Sequence, residues 1–195
     1  MKVPSRKLGR MIHCESPLEG DVVRYLDALP FVMHIQEQPR TIPLADAERS
    51  GSYTPDLEIV LSDGSTLIIE VKAEKDLWRP DTKSRLELAA QHLRQIGQSF
   101  RILTDTDVRS HSLQQNLRHL KRGWHRPGPT PQMKMAVRQL LQESPRHLED
   151  LQKLLGDGFD LWVFIAHQLV EIDLFSPVTA NTVVTLAGGA NHEAR

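Results

Sequence analysis

Glu70 and Lys72 stand two residues apart in the run Leu67-Ile68-Ile69-Glu70-Val71-Lys72. Side chains alternate between faces along a strand, so the acid and the amine are neighbours on one face while Val71 points into the core. A second alternating run, Leu57-Glu58-Ile59-Val60-Leu61, precedes it, with the turn signal Asp63-Gly64 between them. Together they read as a β-hairpin. Asp56 comes just before the first run, and the turn decides whether it joins the pair. A two-residue loop would set position 56 opposite 71 and turn Asp56 away from Glu70. A three-residue loop, Ser62-Asp63-Gly64 with Gly64 left-handed in a bulge, pairs 61 with 65 and hence 56 with 70. Only the second register builds a site, and it is the one expected.

Two carboxylates facing each other across a strand pair repel unless a cation lies between them. Mg²⁺ or Mn²⁺ fits, because a hard divalent ion prefers oxygen ligands and bridges carboxylates to a phosphate. A lysine alongside can orient the attacking water and offset charge on a pentavalent phosphorus. The chemistry is phosphodiester hydrolysis. The competing reading of Glu70 and Lys72 is an exposed strand-face ion pair with no chemistry.

These residues need a scaffold. Ser16-Pro17 followed by Leu18, Val22, Leu26 and Leu29 predicts a helix of about 12 residues, capped by Ser16 and stopped by Pro30. A short strand-like run follows from Phe31, then a polar stretch through Ser50-Gly51. Beyond the hairpin, residues 82–97 read as a helix with Leu86, Ala90, Leu93 and Gly97 on one face, and Phe100–Leu103 as a buried strand, a βαβ crossover expected to be right-handed. A further helix is expected over about 109–121. The three prolines and two glycines of 123–131 predict a linker. Two short amphipathic helices, a third apolar one at Leu161–Val170, and strand-like runs at Val170–Phe175 and Thr182–Leu186 suggest a winged-helix module. The tail GGANHEAR is expected to fray. The expected division is therefore 1–122, a linker 123–131, and 132–195.

Pro55-Asp56 and Glu70-Val71-Lys72 resemble the PD-(D/E)xK nuclease signature, on the helix, hairpin, helix, strand order of that superfamily. The match widens with ESPLE at Glu15–Glu19, EQP at Glu37–Pro39, YTPD at Tyr53–Asp56 and IEVK at Ile69–Lys72, which resemble the TnsA family over most of the chain. The resemblance implies an α/β restriction-endonuclease-like core, a mixed sheet flanked by helices, followed by a small winged-helix-like domain. It implies an endonuclease subunit of a heteromeric cut-and-paste transposase in a bacterial mobile element. Such a subunit cuts at the 5′ transposon ends beside a DDE-type transposase and an ATP-dependent regulator. Carried over by position, Asp56 and Glu70 would be metal ligands, Lys72 the catalytic lysine, and Glu19 the helix-borne acid and third ligand. Some family members have Gln where this chain has Glu70, which restores the general superfamily pattern. Ser16-x-x-Glu19 is also a capping box that needs no metal, and Glu15 is the alternative acid.

Composition sets bounds on these readings. The chain has 195 residues, with 24 Lys and Arg against 25 Asp and Glu, so no global basic excess points to nucleic acid. A local one exists, with seven basic residues against Glu143 over 111–146, and Arg118, Lys121 and Arg122 are the candidate phosphate contacts. From residue 149 onward seven acids face two bases, and the apolar third helix offers no base-reading side chains, so this module reads as one that binds a partner protein or packs on the nuclease core, although an ordinary apolar core helix explains the same residues. The single cysteine, Cys14, excludes an intramolecular disulfide or a multi-thiolate metal site. The nine histidines lack zinc-ligand spacing. No apolar run of membrane-spanning length and no signal-peptide core is present, so the expected compartment is the cytoplasm, without membrane contact. Two other functions compete: a stand-alone restriction-like or junction-resolving nuclease, and a non-catalytic DNA-end scaffold. Cleavage without partners separates the first, and indifference to Lys72→Ala the second.

Overall fold

A computed structural model describes residues 1–45 and 50–188 of the chain, which divides into two compact units, Met1–Arg109 and Ser110–Arg195. Of the GGANHEAR tail, all but Gly188 lies outside the described residues.

The first unit opens with a ribbon of β1 (Lys2–Ser5) and β2 (Arg10–His13), paired antiparallel, with Val3 and Ile12 buried on one side. The first ten residues, which include Lys2, Arg6, Lys7 and Arg10, are part of this fold. Buried Asp27 accepts hydrogen bonds from Ser5 Oγ at 2.6 Å and the Arg6 amide at 3.0 Å, and Lys7 Nζ donates to the Leu29 carbonyl at 2.6 Å. Helix α1 (Pro17–Ala28) starts and stops where the sequence places it, with Ser16 Oγ accepting from the Glu19 amide at 3.1 Å.

Then come β3 (Val32–Glu37), β4 (Ile42–Ala45), β5 (Ser50–Tyr53), β6 (Leu57–Leu61) and β7 (Thr66–Val71). After these follow α2 (Glu74–Leu77), α3 (Pro80–Gln95), β8 (Ser99–Leu103) and α4 (Asp105–Val108). The main sheet has the order β3-β6-β7-β8, antiparallel except for the parallel β7–β8 pair that α3 connects. The β6–β7 turn takes the three-residue form: the Leu61 amide donates to the Ser65 carbonyl at 2.8 Å, Gly64 has φ +83°, and Leu57 pairs with Ile69. That register carries position 56 opposite 70.

Both sheet faces are covered. Ile35, Leu57, Ile59, Ile69 and Val71 form the buried face to which α1 contributes Val22, Val23 and Leu26. On the other face Ile68 packs with Ala89 and Leu93 of α3 and with Ile42 and Tyr53 of the β4–β5 ribbon. Burying a side chain such as Ile68 is worth about 1.5–3 kcal/mol, which fixes ribbon and helix on that face. The sequence reading absorbed β4 and β5 into its polar stretch and set Ala90, rather than Ala89, on the buried side of α3.

In the second unit α5 (His111–Trp124) comes first, longer than expected and on the C-terminal side of the division, whereas composition placed the boundary at 122/123. Then come α6 (Pro131–Gln142), β9 (Arg146–His147), α7 (Leu148–Leu155), α8 (Leu161–Ala166), β10 (Val170–Glu171) and β11 (Val183–Leu186). The strands pair antiparallel in the order β10-β11-β9. The apolar third helix is shorter than expected, because it ends at Ala166 and Val170–Glu171 forms strand β10.

Helix α5 seals this unit. Its Leu113, Leu117 and Leu120 are buried, and Asn116 Nδ2 donates to the Leu174 and Ser176 carbonyls, both at 2.9 Å. Gly123 lets α5 approach α8: a Cβ there would lie 2.4 Å from the Trp162 carbonyl oxygen. A fragment starting at residue 132 would lack this helix. Gly123→Ala is expected to destabilise the unit by about 1–3 kcal/mol through overpacking, lowering its Tm by more than about 5 °C. Gly51→Ala, which meets nothing within 4 Å, is the reference that thermal melts should find near wild type.

Candidate active site

Asp56 precedes β6, where its carbonyl accepts from the Gln38 amide at 2.9 Å and extends the β3–β6 ladder. Its Oδ2 accepts from the Val71 amide at 2.6 Å, so the carboxylate reaches across to β7. Burial, then the charge of Glu70, pushes the Asp56 carboxyl up to about 7, with Glu19 adding to the rise and the Val71 amide and Lys72 opposing it. Two acids crowd one place.

Glu70 is 6% exposed, which does not fit the competing reading of an exposed strand-face ion pair. The reason is the β4–β5 ribbon, which lays Tyr53 over it. Tyr53 Oη donates to Glu70 Oε2 at 2.7 Å, and Lys72 Nζ lies 3.3 Å from Glu70 Oε1. Burial and the Glu70 carboxylate hold the Tyr53 hydroxyl far above its ordinary pKa, so it stays a donor throughout the physiological range. The Lys72 side chain is about one-third exposed and is the part of the pair that solvent reaches.

Glu19 is tied at the start of α1. Its Oε2 accepts from the Glu15 amide at 2.8 Å, one residue before the N-cap amide that a capping box would use. The alternative acid, Glu15, accepts from Gln38 Nε2 at 2.6 Å. Gln38 has φ +41°, a conformation costing on the order of 1–3 kcal/mol, held because its amide bonds Asp56 and its side chain bonds Glu15. Arg10 clamps the preceding residue, Glu37, in a two-pronged pair at 2.6 and 2.7 Å, which keeps the Glu37 carboxyl down at about 2.

Asp56, Glu70 and Lys72 therefore come together, and Glu19 contributes to the local negative charge. Among the described residues no three His, Cys, Asp or Glu side chains form a ready-made metal cage. The acids are instead occupied by donors of the chain itself: Glu70 by Tyr53 and Lys72, Asp56 by Val71, and Glu19 by Glu15. The donor set still suits a hard divalent ion. It is all oxygen, and the Asp56 carboxyl, pushed up first by burial and then by the Glu70 charge, has an anionic form that such an ion would stabilise.

Sequence reasoning missed Tyr53 and Gln38 as site residues. Tyr53 sits three positions before Asp56, but the signal that it covers Glu70 is the alternation of Ile42 and Leu44, which marks the paired strand β4. Cys14 is buried and its thiol is pushed up to about 11, so it is no nucleophile. Arg118, Lys121 and Arg122 lie exposed on α5 in the second unit, opposite its buried leucines.

Residues 30–105 match a family model described as TnsA-like endonuclease N terminal. The EQP, YTPD and IEVK segments fall inside the match. ESPLE, with Glu19, and the whole second unit fall outside it. No curated protein matches the chain.

Proposed function

We propose, from a chain whose residues 30–105 are a TnsA-like endonuclease N-terminal domain, that it is the DNA-cutting subunit of a heteromeric transposase. On this reading it hydrolyses a phosphodiester at the 5′ transposon ends. The observation that carries the reading is the β6–β7 register, which faces Asp56 with Glu70 and sets Lys72 3.3 Å from Glu70 Oε1 inside the matched segment.

Asp56 and Glu70 would hold Mg²⁺ or Mn²⁺, with Glu19 the third carboxylate in reach of that charge. A divalent cation held there supplies Lewis acidity at the phosphoryl oxygen. The remaining work falls to the chain. Lys72, oriented by Glu70, presents its ammonium to the reacting phosphate and offsets the charge that builds on phosphorus. Tyr53 holds Glu70 in place, and Gln38 ties the start of α1 to the Asp56 backbone.

The second unit runs helix, strand, two helices, two strands from α6 onward, with β11 between β9 and β10, which supports the winged-helix-like reading. Its apolar α8 is core, with Val163 and Phe164 buried, and so presents no base-reading face. This favours a protein partner for α6–β11, a DDE-type transposase or an ATP-dependent regulator, and leaves DNA contact to the basic side of α5.

The test is nicking of transposon-end DNA by the full chain, with and without the partner transposase, in Mg²⁺ or EDTA. Metal-dependent nicking at the 5′ ends is expected only when the partner is present. Cleavage by the chain alone would favour the stand-alone nuclease. Replacing Arg118, Lys121 and Arg122 by Gln should flatten the salt dependence of DNA binding by about one unit of slope per lost phosphate contact. An unchanged slope would move the DNA surface elsewhere.

A further inference from the structure

The site is rich in acid and poor in cation. Glu70 and Glu19 both act on Asp56, and Lys72 is turned to Glu70. A phosphodiester brought here carries negative charge of its own, and the acids repel it. Arg85 of α3 is the further cation that the geometry brings to this place. Its guanidinium carbon lies 5.7 Å from the centroid of the Tyr53 ring, whose hydroxyl is bonded to Glu70.

The perch is rigid. Tyr53 is 1% exposed, pairs with Ile42 in the ribbon, and meets Phe100 of β8 edge-on at 6.5 Å between ring centroids. A guanidinium over an aromatic face keeps its N–H edge turned outward, in the fork that matches two oxygens of a phosphate. Arg85 itself is exposed, and no carboxylate pairs with it among the described residues. On the same stretch Arg79 pairs with Asp76 at 3.0 Å and Lys83 with Glu87 at 3.9 Å. The ring face holds the guanidinium by a cation–π contact and leaves its N–H edge free to meet an anion.

We infer that Arg85 is a phosphate-binding residue of this site, a guanidinium clamp positioned by Tyr53 to hold the backbone of the DNA next to Asp56 and Glu70. The inference rests on the nuclease reading and adds to it the group that offsets the acids toward substrate.

The full chain is compared with Arg85→Met, which keeps an apolar stem over Tyr53, and with Arg85→Lys, which keeps charge without the fork. Binding of a short duplex is titrated against KCl in EDTA, and Mg²⁺-dependent nicking in the presence of the partner transposase is followed in parallel, with Tm as the check on folding. Arg85→Met should keep the wild-type Tm, lose about one unit of salt slope and raise the KM for nicking about tenfold. Arg85→Lys should recover the slope but not the KM. A wild-type slope in Arg85→Met overturns the inference whether or not the chain cuts DNA. Absence of metal-dependent nicking by the wild type, with Arg85→Met still losing slope, would instead remove the nuclease reading and leave Arg85 as a DNA contact.

Discussion

Lys72→Ala is expected to abolish DNA cleavage while the chain stays folded. Lys72 has an ammonium at the mouth of a site whose other close groups are acids, and its side chain is about one-third exposed while that of Glu70 is 8% exposed. Removing a preorganised charge aimed at a developing anion costs about 10²–10³ in kcat. The fold should tolerate the change, because Tyr53 still donates to Glu70 and the Lys72 backbone amide still bonds the Leu103 carbonyl. Nicking in the presence of the partner transposase, beside circular dichroism of the same preparation, measures both. Unchanged nicking would reduce Glu70 and Lys72 to a strand-face ion pair and favour the DNA-end scaffold.

Asp56→Asn is expected to make the metal-free protein more stable above neutral pH. The Asp56 carboxyl is held up at about 7 in the folded chain, chiefly by burial and then by Glu70, and titrates near 3.9 when unfolded. The folded state therefore binds the additional proton between those values. Its stability is full below about pH 4 and is lost as pH rises through about 7. A neutral asparagine can still accept from the Val71 amide and places no second charge beside Glu70. At pH 8 the gain should be on the order of 2–4 kcal/mol, shrinking toward pH 4. Added Mn²⁺ should raise the Tm of the wild type at pH 8 and leave Asp56→Asn nearly unmoved, since the ligand that gains from the ion is gone. Parallel melting curves for the two proteins from pH 4 to 8 would show that Asp56 is not crowded by Glu70.

The hairpin was legible from local rules, and its register was narrowed by them to two, of which only the three-residue loop builds a site. Alternation sets the two strands, and a glycine with a positive φ, Gly64, closes a three-residue loop, so residues within about fifteen positions of one another determine that 56 faces 70. Helix α1 was legible for the same reason, since Ser16, Pro17 and Pro30 act on their immediate neighbours. Long-range packing decided the rest. That Glu70 is buried depends on Tyr53, seventeen residues earlier, and on a ribbon of two four-residue strands that pair across a polar stretch. The site of Arg85 depends on which face of the sheet α3 covers, and Ala89 rather than Ala90 turns inward only once Ile68 and Leu93 are in place. The assignment of α5 to the second unit depends on Gly123 meeting the Trp162 carbonyl, a contact across the chain that composition cannot register. The sequence by itself determined which acids and which lysine share a strand pair, because strand periodicity is a property of the backbone. Only the tertiary structure decided how far those charges are removed from water and which groups hold them, because burial is the sum of contacts between segments distant in the chain.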